Sequence, residues 1–228
     1  MHDIILDISN FFSIVITYAP MFLPAVLQTL ELSVFAILLG TACGFIVVIM
    51  KMTKLKFMLV IANVYIAIIR GTPLLLQLFF IFYALPQLGC SLSPFISAII
   101  GLALHNGAYI SEIFRGAIES VEKGQNEAAR ALGMTKFQSF KTVIFPQAFK
   151  NSVPALGNQF ILAIKDSSLA SIITITEIIT KAREFAAATY AVFPIYFDAG
   201  CYYMILTYTL ARLLKLLEEH LRVNERRS

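Results

Sequence analysis

Three groups of polar residues interrupt long apolar stretches of this chain: Arg70 with Thr72 and Pro73; Asn158 and Gln159 with Lys165 and Asp166; and Asn106 and Tyr109 with Glu112. An ionised side chain in such surroundings costs about 2.5–3.5 kcal/mol on membrane-insertion scales, so it must face protein or water and find a partner. Arg-Gly-Thr-Pro at 70–73 predicts a broken helix, because Pro73 lacks a donor and Thr72 or Arg70 must then serve the freed carbonyls. Lys165 and Asp166 are adjacent, so on a helix their side chains diverge by about 100° and do not pair. Asp166 is expected to meet Arg70 across helices, and Lys165 to reach a water-filled cavity or Glu112. Asn158 and Gln159 carry both donors and acceptors, which suits a solute bearing a carboxylate and an ammonium group. Asn106, Tyr109 and Ser168 are weaker candidates for the same route, and interhelical hydrogen bonding competes with that reading for all five.

Covalent chemistry has no comparable support. The sequence contains no Gly-rich phosphate loop, no Ser, His and Asp arrangement and no paired catalytic carboxylates. His105 has no second histidine near it, and Cys43, Cys90 and Cys201 are scattered, so neither a metal site nor a disulfide framework is expected. Glu112, Arg115, Glu119 and Lys123 follow at helical spacings and read as ordinary charge pairs at a helix end.

The elements that must position these residues follow from composition. Of 228 residues, 58% are apolar and 14% charged. Residues 32–50 and 71–111 contain no Asp, Glu, Lys or Arg. Uncharged runs of about 18 or more residues match the thickness of the hydrocarbon layer as helices, which satisfy their own backbone there as open strands cannot. Five spans are expected, at about 22–50, 57–84, 94–114, 154–179 and 195–217. Ser93 followed by Pro94 suits a helix start. Residues 1–20 alternate acidic and apolar positions and read as a short surface helix, with no basic leader typical of a removable signal. Of the 18 Lys and Arg residues, only Lys181 and Arg183 fall outside, and Arg70 and Lys165 deep within spans, if the amino terminus is outside and the carboxyl terminus in the cytoplasm. A net charge of +4 at membrane edges needs no nucleic acid. The expected organisation is an outer segment 1–20, a five-helix domain 21–218 with a cytoplasmic loop at about 120–150, and a tail 219–228.

That loop is too polar to span and too regular to be loose. Gln125 or Asn126 is expected to cap a first helix, with Glu127 in its first turn and Gly133 ending it in a left-handed conformation. Thr135 and Gln138 have the spacing of a capping box for a second helix, on which Phe137, Phe140, Ile144 and Ala148 form an apolar stripe and which Pro146 limits or kinks.

Glu127, Ala128, Ala129, Gly133, Val143, Phe145 and Pro146 resemble the Glu-Ala-Ala loop of ATP-binding-cassette import permeases, with Val143 for the family's Ile and Phe145 for its Leu. The stretches RGTPLLLQLFF, LALHNGAYISEIFRGAIESVEKGQNEAARALGM, FPQAFKNSVPALGNQF and KDSSLASII look like the polar amino acid branch of that family. The resemblance implies an all-α membrane protein with the five transmembrane helices of the type I (MetI-like) permease fold and a cytoplasmic coupling helix. It also implies a bacterial inner-membrane location, a second permease subunit in a homodimer or heterodimer, an extracytoplasmic amino-acid-binding protein, and a cytosolic ATPase dimer. That dimer would hold the ATP and magnesium, leaving this chain neither an enzyme nor a cofactor carrier. Ala128, Ala129 and Gly133 would then allow the ATPase a close approach, with Glu127 and Arg130 as polar contacts at the rim. Another small solute, such as an opine or a polyamine, and a membrane scaffold or channel are the alternatives.

Overall fold

The computed structural model describes residues 2–53 and 55–225, with side chains for 8–53 and 55–220. Every regular element among them is helical. The helices are α1 (His2–Tyr18), α2 (Leu23–Met52), α3 (Lys56–Gly71), α4 (Leu74–Phe79), α5 (Pro94–Glu119), α6 (Lys123–Ala131), α7 (Lys136–Ser139), α8 (Phe145–Asp166), α9 (Ile178–Thr189) and α10 (Val192–Glu225). The stretch Ile8–Met52 and α5 are long and apolar enough to cross a membrane, and the interrupted pair Lys56–Gly71 with Leu74–Leu88 makes a third such segment. α8 and α10 occupy the two remaining expected spans without meeting that standard, since α8 alone carries Lys150, Asn151, Asn158, Gln159, Lys165 and Asp166.

Contacts group the chain into two units, each drawn from three separate stretches. The first comprises Met1–Ala36, Leu74–Leu102 and Ile161–Leu210. In it, Leu32, Ala36, Leu74, Leu78, Ala98, Leu102 and Ile173 form one buried cluster, and Phe22, Ile178, Ala182 and Ile195 anchor another. The helix expected near the amino terminus forms, and it continues through a 3-10 turn at Ala19–Phe22 into α2. Phe11 meets Phe193 and Phe197 with ring centroids 5.6 and 5.4 Å away, so this helix is packed against α10.

The fourth expected span is divided. α8 stops at Asp166, a 3-10 turn covers Ser167–Ile173, Thr174 adopts a left-handed φ of 68°, and α9 begins afresh at Ile178. At this end Ser167 Oγ donates to the Ile164 carbonyl at 2.7 Å and Ser168 Oγ to that of Lys165 at 2.6 Å. Lys165 and Asp166 are therefore helix-terminal residues, not interior ones. Glu177, fully buried, caps α9 by accepting from the Ile179 and Thr180 amides at 2.9 and 2.8 Å, and its carboxylate also accepts from the Tyr203 hydroxyl at 2.7 Å.

The second unit comprises Ile37–Pro73, Ala103–Phe160 and Ala211–Ser228. A close contact joins α2 to α5 through glycines. A Cβ on Gly44 would stand 2.9 Å from the Gly107 carbonyl oxygen, the Ile110 Cγ2 and the Ser111 nitrogen. Val48, Ile110 and Phe114 pack beside that contact. Small residues at helix crossings are how membrane helices gain dispersion contacts without a hydrophobic drive. Gly44→Ala is expected to lower the stability of the detergent-purified chain by about 1–3 kcal/mol, read from its unfolding midpoint. Gly116→Ala, where an added Cβ meets nothing within 4 Å, is expected to leave the midpoint unchanged or raise it.

Candidate functional site

The predicted hairpin exists, and its ends are closed by local chemistry. α6 terminates at Gly133, whose φ is +83°. The Gly133 amide donates to the Arg130 carbonyl at 3.1 Å and the Met134 amide to the Ala129 carbonyl at 3.2 Å, the paired bonds of a Schellman ending. Thr135 then starts the second arm with a complete capping box: the Gln138 amide donates to Thr135 Oγ1 at 3.2 Å, and the Thr135 amide to Gln138 Oε1 at 2.8 Å.

Other details of the hairpin differ from expectation. α6 begins at Lys123, ahead of both expected caps, with Glu122 at the N-cap making no side-chain bond. Asn126 is engaged elsewhere, since its Oδ1 accepts from Ser139 Oγ at 2.7 Å and clips the two arms together. Pro146 does not end the second arm. A π-helical turn at Phe140–Ile144, closed by the Phe145 amide donating to the Phe140 carbonyl, widens the helix just ahead of the proline ring, and α8 runs on. The apolar stripe is buried in part. Ile144 and Ala148 pack with Ala117 and Val121, and Phe140 covers them, whereas Phe137 is 72% exposed.

Glu127, Ala128, Arg130 and Gly133 are exposed, and Ala129 is buried. Glu127, Arg130 and Lys136 border an open groove of about 800 Å³ that Met52, Phe140 and Ile144 floor with apolar surface. Leu132, 81% exposed at the tip, is a residue that sequence reasoning missed. Its place just before a helix-ending glycine was the available signal.

Among the span residues, the structure makes two pairs. Gln159 Nε2 donates to Asn106 Oδ1 at 2.9 Å, both side chains buried, joining α8 to α5. The Arg70 guanidinium lies 5.2 Å from the centroid of the Tyr109 ring, whose other neighbour is His105 at 5.0 Å. Asn158, next to Gln159, is exposed. The break after α3 forms as expected: Thr72 is extended (φ −122°, ψ 147°), its hydroxyl donates to the Ile68 carbonyl at 2.8 Å, and α4 starts after Pro73. Ser168 turns its hydroxyl to its own backbone. Glu112, weighed as a partner for Lys165, is held by Lys51 at 2.7 Å and Arg115 at 2.9 Å, and Arg115 also reaches Glu119 at 2.6 Å. The i,i+3 and i,i+4 pairs were legible, but Lys51, 61 positions from Glu112, was not. Among the described residues, no three His, Cys, Asp or Glu side chains converge as a metal site would require.

Residues 40–223 match the family described as the binding-protein-dependent transport system inner membrane component. The chain belongs to this family. The permease is 40% identical over 215 residues to the nopaline transport system permease protein NocM of Agrobacterium fabrum, covering 90% of this chain and 89% of that one. It is 39% identical to the L-cystine transport system permease protein TcyB of Bacillus subtilis over 90% of this chain and 88% of the relative, and 35% identical to the arginine transport system permease protein ArtQ of the same species over 94% and 98%. A crystal structure of an amino acid ABC transporter with histidines superimposes with a TM-score of 0.88 at 39% identity, covering 92% of this permease and 98% of that chain. The MetNI methionine ABC transporter, at 18% identity and a TM-score of 0.74, shares the fold.

Two measurements probe this site. A double-mutant cycle on Lys51→Ala and Glu112→Ala is expected to return a coupling of about 0.5–3 kcal/mol in the stability of the purified permease. Gly133→Ala is expected to cost about 1–2 kcal/mol, because a side chain is forced into the left-handed region, with Gly124→Ala as the unstrained control.

Proposed function

We propose that this permease is one of two membrane subunits of an ATP-driven importer of polar amino acids, with the Lys123–Ile144 hairpin as the handle gripped by a cytosolic ATPase dimer. The supporting observation is the hairpin's closure: a Schellman ending at Gly133, a capping box at Thr135 and the Asn126–Ser139 clip leave the tip little freedom while Leu132 and Phe137 stay exposed. A stiff projection transmits force, and exposed apolar side chains at its tip suit a partner's groove. Glu127, Ala128, Arg130 and Gly133 would form the contact, whereas Ala129, expected there from the sequence, is buried and would instead seat α6; ATP and magnesium would be bound by the ATPase, and an extracytoplasmic binding protein would deliver cargo.

In this reading the amino terminus is outside, the carboxyl terminus is cytoplasmic, 1–20 is an outer segment, 21–218 is the transport domain and 219–228 is a tail. Cargo would pass near Asn106, Tyr109, Asn158, Gln159 and Ser168, with Arg70, Thr72, Pro73, Glu112, Lys165 and Asp166 as the charged and helix-breaking positions that set access. Two permease subunits would rock about the route as the ATPases close and open. Relatives whose names specify cystine, arginine and nopaline favour amino acids and their derivatives. The nopaline relative keeps an opine as a second reading.

Gly133→Leu is expected to leave the permease in the membrane at normal abundance, abolish ATPase co-purification and cut radiolabelled amino acid uptake into vesicles by more than about tenfold. Co-purification together with full uptake by that variant would refute the handle. Competition of uptake by each L-amino acid, and by nopaline, assigns the cargo.

A further inference from the structure

The helix α3 has three faces. Met58, Ala62, Tyr65 and Ile69 turn toward the second unit's interior, with Ala62 at 1% exposure and the Tyr65 hydroxyl donating to the Leu104 carbonyl. Phe57, Ile61, Val64 and Ile68 are 41–72% exposed and apolar, as a lipid-facing surface is. Lys56, Asn63 and Arg70, also exposed, recur every seven residues, a spacing that drifts only about 20° per step. They form a stripe centred roughly 130° round the helix from the apolar face, with Ala67 between Asn63 and Arg70 and with Leu59 and Val60, 37% and 58% exposed, on its two borders.

Asn63 lies about 10 Å along the helix from Lys56 and Arg70 about 10 Å farther, so the stripe reaches deep into the span. A carboxamide and a guanidinium at such depth do not face hydrocarbon. Nor does the stripe suit contact with the same face of a second copy, because α3 has no Asp or Glu and two such stripes would oppose cation to cation. A water-filled route would satisfy these groups, and its positive charge would draw anionic groups. We infer that the Lys56–Asn63–Arg70 face of α3 lines a water-filled route and receives the carboxylate of the cargo, with Asn63 as a carboxylate-contacting residue between the two cations. This inference rests on the importer reading above.

The test places single cysteines in a permease whose Cys43, Cys90 and Cys201 have been changed to Ala, assembled with its partner subunits in vesicles. Methanethiosulfonate ethylsulfonate, a membrane-impermeant anion, is expected to modify the Asn63→Cys variant at least about tenfold faster than the Val64→Cys variant. A mixture of L-amino acids should slow that reaction, and their decarboxylated amines should not. Where Asn63→Cys does not insert, Ala67→Cys on the same stripe takes its place. Equal rates at 63 and 64, or protection by the amines as complete as by the amino acids, would overturn the inference. Amino acid uptake by the parent, measured in parallel, separates the two claims. Uptake with slow labelling at 63 and 67 leaves the importer standing and removes the stripe. Fast anion labelling without any amino acid uptake upholds the water-filled face and removes the cargo reading.

Discussion

A polar group in hydrocarbon is tolerated only where something else in the protein, or water, takes over its hydrogen bonds, and this condition orders most of the molecule. It explains why Gln159 and Asn106 bond to each other, and why Thr72 turns its hydroxyl to the carbonyl left open where α3 stops. It also explains Glu177, whose buried carboxylate takes the first amides of α9 together with the Tyr203 hydroxyl. Each is a polar function completed within the protein, and each sits where a helix breaks or two helices cross. The helix breaks are therefore as much a part of the design as the spans.

The hairpin obeys a different rule, since Asn126, Gly133, Thr135 and Gln138 are exposed and only Ser139 of its capping and clipping residues is buried. Its bonds serve shape. The left-handed residue Gly133 reverses the chain in the fewest residues, the Thr135 box fixes where the second arm begins, and the Asn126–Ser139 bond ties that arm to the first. Three local devices acting within 14 residues leave a tip whose geometry is set before any partner arrives. Binding to a preformed surface loses less conformational entropy than binding to a loop that must be ordered.

Much of this was legible in the sequence because it depends on residues close together in the chain. The Gly133 ending, the Thr135–Gln138 box, the break at Thr72–Pro73 and the Arg115 pairs are all written within four or five positions of one another. Failures came where longer range or competing local chemistry decided the outcome. Asn126 has the composition of a cap, yet its bond goes to Ser139, 13 residues on. Pro146 reads as a limit or a kink, and the helix runs through it behind a π turn. The run from 154 to 179 reads as one span, yet the helix ends at Asp166, gives way to a 3-10 turn and reverses at the left-handed Thr174. Glu177 was absorbed into that same run, although Thr180 three residues later has the spacing of a helix start. The Lys51–Glu112 pair had no sequence signature at all.

The helix's continuity through Pro146 has a mechanical meaning. From Lys136 to Gln159 the backbone stays helical, through α7, the π turn and α8, within a single unit. Phe137, exposed at one end, and Gln159, bonded to Asn106, are 22 residues apart, about 33 Å along one rod. Had Pro146 ended the helix, a loop would lie between them, and displacement at the tip would dissipate in backbone rotations. The π turn keeps the rod whole while allowing a local change of direction, and the contacts of Ile144 and Ala148 with Ala117 and Val121 brace it against the end of α5. In the proposed importer, a push at Phe137 would reach α5 at two points, the end near Ala117 and the amide of Asn106. An element driven at both points would move as a body, which is the kind of motion that alternating access needs from a bundle.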